Sequence, residues 1–455
     1  MISDVQSATD PGSKITAPAP VFNRTPRRTR STLAYGAVVL FTIVYFLRPE
    51  DYIPGLHFIP LGKITGGIAL LALIFGVQTQ NRPKLPTELK ILILLLVQMI
   101  ATIPFAAWRG GSFNVVFNEF AKGVIVALLV FYSVANLKEL RRLLYTQSAL
   151  VATLAVGSVL VHQTEEGRLM GLGKGFLENP NDLAINIAIN FPLCVAFLLA
   201  AKGMRKAVWG VGLLFMMYGV VATYSRSGMV ALCLTGAICL WEFGIKGRRS
   251  ALLVGVAIVG MLGVGVALVQ PHYLARLGTL VKGGEIEGSG DRGSLEARTK
   301  LLKEAISLTF HHPIFGVGPG NFQVVTEEWR VAHNTYAELG AETGFPGLIL
   351  FLLMLWFSFR TLKRVVQLPG YAASPEVAMW TSALWASLAA YAAGSLFAST
   401  EYNLFPYFIV GYICALYNIV GKEWEASGRR GGESGRNSAS QRLNVRQRRE
   451  LAWTR

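Results

Sequence analysis

Long apolar runs dominate this sequence and constrain its fold more than any other feature. They recur along the chain in stretches of about 15 to 20 residues, the length of helix that crosses a bilayer. Because lipid offers no hydrogen-bond partners, each run has to satisfy its backbone internally as a helix. Only 15% of the residues are charged, against about 25% in ordinary soluble domains. The sequence therefore predicts an all-α integral membrane protein.

About twelve membrane-spanning helices are predicted. The first is short enough to be a signal peptide, but about thirty mostly polar residues precede it and the stretch 47–50 offers no small-residue cleavage site, so we predict a retained helix. The predicted spans are 33–47, 62–77, 89–107, 120–135, 143–161, 183–200, 207–223, 228–243, 251–269, 346–360, 377–397 and 404–420. The expected regions are a cytoplasmic tail 1–32, spans in 33–269, a large external loop 270–345, spans in 346–420 and a basic cytoplasmic tail 421–455.

Positive charge is divided unevenly between alternate connections. The side that includes both tails carries a net charge of about +19, and the other side about −3. Lys and Arg accumulate on the cytoplasmic side of membrane proteins, so both termini are predicted to be cytoplasmic. The total of +16 then reflects membrane orientation and does not indicate a nucleic-acid partner. The Arg-rich segment 429–449 is predicted to be disordered and to lie near anionic lipid.

The loop 270–334 is much longer than the other connections on its side. After a Gly-rich stretch, Ser294 is predicted to cap an amphipathic helix that runs to about Phe310 and lies on the membrane or over the bundle. Arg298 falls within the apolar arc of this helix. Such an Arg snorkels, pairs with a carboxylate such as Glu165 or Glu401, or binds an anionic ligand, and these alternatives stay open at this point.

Two further features follow in the same loop. Residues 312–322, His-Pro-Ile-Phe-Gly-Val-Gly-Pro-Gly-Asn-Phe, are typical of a tight structural turn, because no strand precedes the glycines to form a dinucleotide fingerprint. His333 and Asn334 then open a short helix that the stretch 344–347, Gly-Phe-Pro-Gly, is expected to break. His333 titrates near neutral pH and is a candidate base, although a single histidine is more often structural.

Shorter connections on the same side carry two more candidates. Arg226 lies in the five-residue connection 224–228, where it either snorkels or holds an anionic headgroup. The connection 162–182 contains Arg168, Lys174 and a stretch at 178–182 that is typical of a turn and helix cap.

Metal and nucleotide motifs are absent from the sequence. There is no Asp-x-Asp and no Gly-x-x-x-x-Gly-Lys-Ser/Thr, the six histidines lack ligand spacing, and all four cysteines lie in predicted spans. We predict no metal, no cofactor and no disulfide framework. An enzyme of this kind has to use an already activated substrate.

Taken in order, these motifs resemble the O-antigen ligase and polymerase superfamily. The resemblance rests on Tyr-Ser-Arg-Ser-Gly at 224–228, Arg298 fourteen residues before His312, the Gly-rich turn, His333-Asn334 and Gly-Phe-Pro-Gly at 344–347. Arg168 followed by Pro-Asn at 180–181 also fits. One departure is that leucines occupy 301–302, where the family often has Trp.

The resemblance implies a GT-C-like inner-membrane glycosyltransferase of bacteria. Such proteins transfer a glycan from undecaprenyl pyrophosphate to lipid A core, a growing polysaccharide or, in some relatives, a protein, without metal or nucleotide sugar. It implies that Arg226 and Arg298 bind the pyrophosphate and that His333 activates the acceptor hydroxyl. The supporting positions are Ser225, Arg168, Asn334 and His312. The aromatic residues Trp108, Tyr224, Trp329 and Tyr336 either stack on sugars or anchor the protein at the membrane interface.

Two other classes of function stay open. A transporter fits twelve spans with cytoplasmic ends, but no matching half-repeat is visible. A non-catalytic component of an envelope assembly fits the large external loop. Whether an enzyme of this kind is a ligase or a polymerase is not decided by the sequence.

Overall fold

The fold is a bundle of long helices. The computed structural model describes residues 32–53, 55–76, 83–165, 167–172, 178–246, 291–326, 330–368, 371 and 374–422. Within these ranges the strands are limited to a two-residue antiparallel pair, Thr164–Glu165 with Arg168–Leu169. The prediction of an all-α integral membrane protein is confirmed.

Fifteen α-helices are described, and we number them in chain order. They are α1 Thr32–Leu47, α2 Pro49–Tyr52, α3 Leu61–Gly76, α4 Thr87–Thr102, α5 Arg109–Val115, α6 Ala121–Ser133, α7 Leu137–Val161, α8 Pro180–Ala200, α9 Met204–Ala222, α10 Arg226–Cys239, α11 Asp291–His311, α12 Phe322–Val325, α13 Thr335–Gln367, α14 Pro375–Gly394 and α15 Phe405–Lys422. Single turns of 3-10 helix occupy Leu56–Phe58 and Ile103–Phe105, and π-helical turns occupy Val116–Phe120 and Leu240–Ile245.

Nine helices among the described residues are long and apolar enough to cross a membrane. They account for nine of the predicted spans. The predicted span at 62–77 is the shorter helix α3, and the one at 377–397 is α14, which has 20 residues. The predicted span 251–269 lies outside the described residues, as do the tail segments 1–31 and 423–455 and the Gly-rich part of the long loop.

Three predicted boundaries are wrong. The fourth span was expected to begin at 120, but a continuous helix of 25 residues begins at Arg109. The loop helix begins at Asp291 and not after Ser294. The tenth span was expected to end at 360 but continues to Gln367, whereas the short helix from Thr335 and the break at Gly344 agree with the prediction. Hydrophobicity marks the stretch that lipid contacts, whereas helices also continue into polar flanks.

The core of the bundle surrounds α8 and α15, which are the most buried of the spans. Polar side chains within it are paired across helices. Gln147 of α7 donates to Oδ1 of Asn190 at 2.8 Å, and the hydroxyl of Tyr412 donates to Oε1 of Gln147 at 2.6 Å. Such bonds link helices where no water competes for them. The four cysteines are unpaired thiols.

The loop helix α11 lies over the first turns of α13. Leu301, Ala305 and Thr309 are buried in this contact, whereas Ile306 is 47% exposed. The three buried residues all belong to the predicted apolar arc, and the exposed Ile306 lies at one edge of it. Of the two placements left open by the sequence, the helix takes the one over the bundle.

Candidate functional site

The backbone of His333 is held in a left-handed conformation, with φ of 53°. Such a conformation costs a non-glycine residue about 1–3 kcal/mol and clusters at functional sites. The residue that follows, Asn334, caps α13 by accepting from the backbone N–H of Ala337 at 3.0 Å. Its Nδ2 also donates to the carbonyl of Leu396 at 3.0 Å. The segment that carries His333 is therefore fixed to the connection after α14.

The next residue strengthens this attachment. Thr335 donates from its backbone N–H to the carbonyl of Ser395 at 2.9 Å and from its hydroxyl to the carbonyl of Ala398 at 2.7 Å. Since Thr335 begins α13 and Ser395 follows α14, the bonds place these helix ends together. We call this end of the bundle the site end.

Positive charges surround His333. Burial is the main cause that lowers the pKa of His333 to about 4. Three nearby guanidinium groups contribute in the same direction, those of Arg298, Arg330 and Arg168. The imidazole is therefore neutral at neutral pH and lies in a positive field suited to an anion.

Arg168 joins three segments at the site end. Its Nε donates to the carbonyl of Thr223 at 3.0 Å, and its Nη2 donates to Oδ1 of Asn181 at 2.8 Å. Asn181 lies in the first turn of α8, and Thr223 ends α9 just before the connection to α10. The hairpin of Arg168 is thereby attached to the connection that carries Arg226.

That connection is itself tightly structured. Tyr224 has a left-handed φ of 50°, and Ser225 caps α10 by accepting from the N–H of Gly228 at 3.2 Å. The hydroxyl of Ser227 lies 2.9 Å from that of Ser225. Arg226 is the first residue of α10, and its side chain lies outside the described part of the chain. Ser225, proposed from the motif as a supporting residue, has a structural role as a cap.

Arg298 and His312 are separated along α11. Arg298 is one turn before the buried Leu301 and is partly buried, on the side of the helix that packs against α13. His312 follows the other end of the helix, about 21 Å away at 1.5 Å per residue, and is exposed. The structure therefore brings Arg298 together with His333 but does not place His312 in the same cluster.

The Gly-rich turn packs against the kink of α13. Val317 and Gly318 donate from their backbone N–H groups to the carbonyls of Ala341 and Glu342, each at 2.9 Å. A Cβ atom on Gly316 would lie 2.3 Å from the backbone of Glu342. The turn thus donates hydrogen bonds to carbonyls that the kink at Gly344 leaves without a partner inside the helix. This agrees with the prediction that residues 312–322 form a structural turn.

Sequence reasoning missed Arg330 and two buried carboxylates, Glu338 and Glu342. Arg330 is three residues before His333, and the two glutamates are four residues apart in α13, so that they share a face near His333. Two acidic residues four positions apart in a mostly apolar segment were the sequence feature that could have identified these glutamates. Glu401 lies near both, and burial together with their charges raises its pKa well above the ordinary range.

The aromatic candidates divide into different roles. Tyr336 donates its hydroxyl to the carbonyl of Ala392 at 2.7 Å, so that it joins α13 to α14. Trp108 is 54% exposed at the start of α5. Trp329, like Lys174, lies outside the described residues. In the described part of the chain no group of three His, Cys, Asp or Glu side chains is arranged to hold a metal ion.

Fold and site together define a polytopic α-helical membrane protein with a cationic site around a neutral histidine. Residues 211–352, which include Arg226, Arg298 and His333, match the family model described as O-antigen ligase. A curated relative, the exopolysaccharide production protein ExoQ of Rhizobium meliloti (strain 1021), is 23% identical over 265 residues. That match covers 54% of this chain and 60% of the relative. Both findings support the O-antigen ligase family and a glycan-processing membrane protein, so the resemblance predicted from the motifs is confirmed.

Proposed function

We propose that this protein transfers a glycan from a polyprenyl pyrophosphate to an acceptor hydroxyl, at the periplasmic face of the bacterial inner membrane. The observation that carries the proposal is the cluster of Arg168, Arg298 and Arg330 around a neutral His333. An anionic donor fits the cations and a proton-accepting step fits the imidazole. Neither a metal nor a nucleotide enters the proposed reaction.

Arg298 would hold the pyrophosphate, whereas Arg168, whose Nε and Nη2 bind Thr223 and Asn181, would add positive charge nearby. A guanidinium donates two parallel hydrogen bonds to phosphate oxygens and is always charged. Arg226 is the first residue of α10, whose N-terminus favours an anion, and we assign it to the pyrophosphate from the family resemblance. As the bond from the anomeric carbon to the pyrophosphate oxygen breaks, the leaving group takes the electron pair, and the arginines stabilise its added charge.

His333 would take the proton of the acceptor. The acceptor oxygen forms the new bond to the anomeric carbon, and its proton passes to the ring nitrogen of the neutral imidazole. A pKa of about 4 makes the free histidine a weak base. The bound pyrophosphate would raise this pKa, because a nearby anion favours the charged imidazolium. His333 then becomes an effective base only when the donor is present.

The charge pattern of the connections supports a site on the periplasmic face of the membrane. The connections that meet at the site end include 162–182, 223–228 and 395–404, and all belong to the side with a net charge of about −3. The positive-inside rule puts that side away from the cytoplasm. Fusions of a topology reporter after Lys206 and Arg249 should report the cytoplasm, and one near Gly288 the periplasm. A cytoplasmic signal near Gly288 would contradict the proposed face.

Two acceptors fit the same chemistry. The name of the relative ExoQ concerns exopolysaccharide production, which favours a growing polysaccharide chain. The family description, O-antigen ligase, favours lipid A core. The size distribution of the product separates them, because a polymerase yields a ladder of repeat units whereas a ligase yields glycan attached to the core.

The test uses membranes from a strain that lacks the chromosomal copy of this gene and holds its own lipid-linked glycan. Wild-type protein should convert the lipid-linked glycan into acceptor-linked product. Arg298→Lys keeps the charge but loses the fork, so we expect most transfer to be lost while the protein still accumulates. Arg360→Lys, far along α13, is the matched control and should be active. Uptake of glycan into proteoliposomes without transfer would contradict the proposal and favour a transporter.

A further inference from the structure

Two buried glutamates of α13 each bind a backbone N–H of the long loop. Glu338 accepts from the N–H of Ala332 at 2.8 Å, and Glu342 accepts from the N–H of Phe322 at 3.1 Å. Both side chains are almost completely buried, with exposed fractions of 3% and 1%. A buried carboxylate is costly unless hydrogen bonds satisfy it. These two therefore make specific structural connections.

Each glutamate also binds the connection between α14 and α15. The hydroxyl of Ser399 donates to Oε2 of Glu338, and that of Tyr402 donates to Oε2 of Glu342. The two carboxylates thus hold the same connection but different parts of the long loop. Glu342 fixes the start of α12 after the Gly-rich turn, whereas Glu338 fixes the residue immediately before His333.

An attachment of this kind helps to fix His333, because its left-handed φ of 53° is uncommon for a residue other than glycine. Asn334 holds the backbone immediately after His333 through its hydrogen bonds to Ala337 and Leu396. Glu338 holds the backbone immediately before His333, by accepting a hydrogen bond from the N–H of Ala332. The left-handed residue therefore lies between two fixed neighbours.

We propose that Glu338 is a positioning residue that sets the place of the His333 ring relative to the acceptor, through its hydrogen bond to Ala332. This inference rests on the proposed function, in which His333 takes the acceptor proton. Glu338 itself touches no reacting atom. Displacement of a catalytic group by about 1 Å can cost about a hundredfold in rate, so loss of this bond should be visible in transfer.

Two substitutions of Glu338 distinguish the effect of side-chain length from the effect of charge. Glu338→Gln keeps the length of the side chain and one oxygen, which accepts from both Ala332 and Ser399 as Oε2 of Glu338 does. Glu338→Asp keeps the charge but is one methylene shorter, so it no longer reaches Ala332. We expect Glu338→Gln to retain transfer within about threefold and Glu338→Asp to lose about tenfold to a hundredfold.

The decisive experiment is a double-mutant cycle with His333→Ala, in the membrane transfer assay with the amount of folded protein fixed by gel filtration in detergent. If Glu338 acts through His333, then Glu338→Asp lowers transfer in the wild type but not further in His333→Ala. Binding of undecaprenyl pyrophosphate, used as the probe, should be the same in all four proteins. Glu342→Asp is the matched control, since its bond goes to Phe322, and it should cause the same proportional loss in both backgrounds.

The outcomes distinguish this inference from the proposed function. If His333→Ala alone leaves transfer unchanged, the base role of His333 is wrong and the inference fails with it. If His333→Ala lowers transfer but Glu338→Asp is harmless or equally damaging in both backgrounds, only the inference is wrong. Better transfer in Glu338→Asp than in Glu338→Gln would also overturn it, because charge rather than reach would then be what matters.

Discussion

The guanidinium of Arg168 donates a hydrogen bond to the side chain of Asn181 over 2.8 Å. These residues lie thirteen positions apart, one in a two-residue strand and the other in the first turn of a membrane-spanning helix. A second bond from Arg168 reaches the carbonyl of Thr223. One side chain thus joins two helix ends beside the candidate site.

This attachment predicts that Arg168→Lys damages transfer. A lysine has no planar fork and does not make both bonds in this geometry. Loss of a hydrogen bond from a charged group costs about 1.5–3 kcal/mol, so we expect transfer to fall about tenfold to a hundredfold. Asn181→Ala should cause a smaller loss and should add little to Arg168→Lys. Arg205→Lys, in the exposed first turn of α9, is the control, and an equal effect there would contradict the prediction.

The pKa of His333 predicts an unusual dependence of transfer on pH. Because that pKa is lowered to about 4, the acid limb of kcat/KM, which reports the free enzyme, should fall well below pH 6.5. The acid limb of kcat should lie at higher pH, since the bound pyrophosphate favours the imidazolium. Both are measured from rate profiles between pH 4 and 8. An acid limb of kcat/KM at 6.5 or above would show that His333 does not have the lowered pKa.

The lowered pKa of His333 also affects the free energy of unfolding. The unfolded chain takes up a proton on this histidine near pH 6.5, whereas the folded protein does so only near pH 4. The contribution of His333 to stability is therefore complete above pH 6.5 and is lost progressively as the pH falls toward 4. His333→Ala should remove this part of the acid destabilisation in thermal unfolding scans.

Removal of the charge of Arg330 should move the acid limb of kcat/KM upward. Arg330 is one of the cations that lower the pKa of His333, so Arg330→Gln lets the imidazole accept a proton at higher pH. Lys303→Gln, on an exposed position of α11, is the control with a similar change in net charge. An unchanged profile in Arg330→Gln would mean that this cation does not act on His333.

The cap of α13 predicts a graded loss of stability at Asn334. Asn334→Ala removes both the cap and the bond to Leu396, and loss of an N-cap costs about 0.5–2 kcal/mol. Asn334→Asp keeps the acceptor for Ala337 but loses the donor to Leu396, so its melting temperature in detergent should lie between those of the wild type and Asn334→Ala. Equal melting temperatures for both variants would place the whole effect on the bond to Leu396.

The turn against the kink predicts that Gly316 and Gly344 tolerate no side chain. Both have positive φ, and a Cβ would lie 2.3 Å and 2.7 Å from opposing backbone atoms. Gly316→Ala and Gly344→Ala should therefore reduce the folded yield severely. Gly236→Ala is the control, because it lies inside α10 with open space around it, and alanine there is favoured by about 1 kcal/mol. Normal yields for all three would contradict the close packing of the turn.

The sequence by itself indicated the class of fold and the resemblance to the O-antigen ligase family, and it singled out His333, Arg298 and Arg168 as candidate residues. Apolar length and helical periodicity are local properties, and a motif keeps its spacing whatever surrounds it. The sequence also located the break at Gly344, because glycine and proline act on their own backbone. It placed helix ends poorly where polar turns extend a span, as at Arg109 and Gln367.

Only the tertiary structure decided which of these residues act together. It brought Arg168, Arg298 and Arg330 to His333 and left His312 at the far end of α11. It also turned two glutamates of an apolar helix into connections between distant loops. Distances between segments a hundred residues apart depend on how helices pack, and charge and hydrogen bonding act through those distances. No local pattern carries that information.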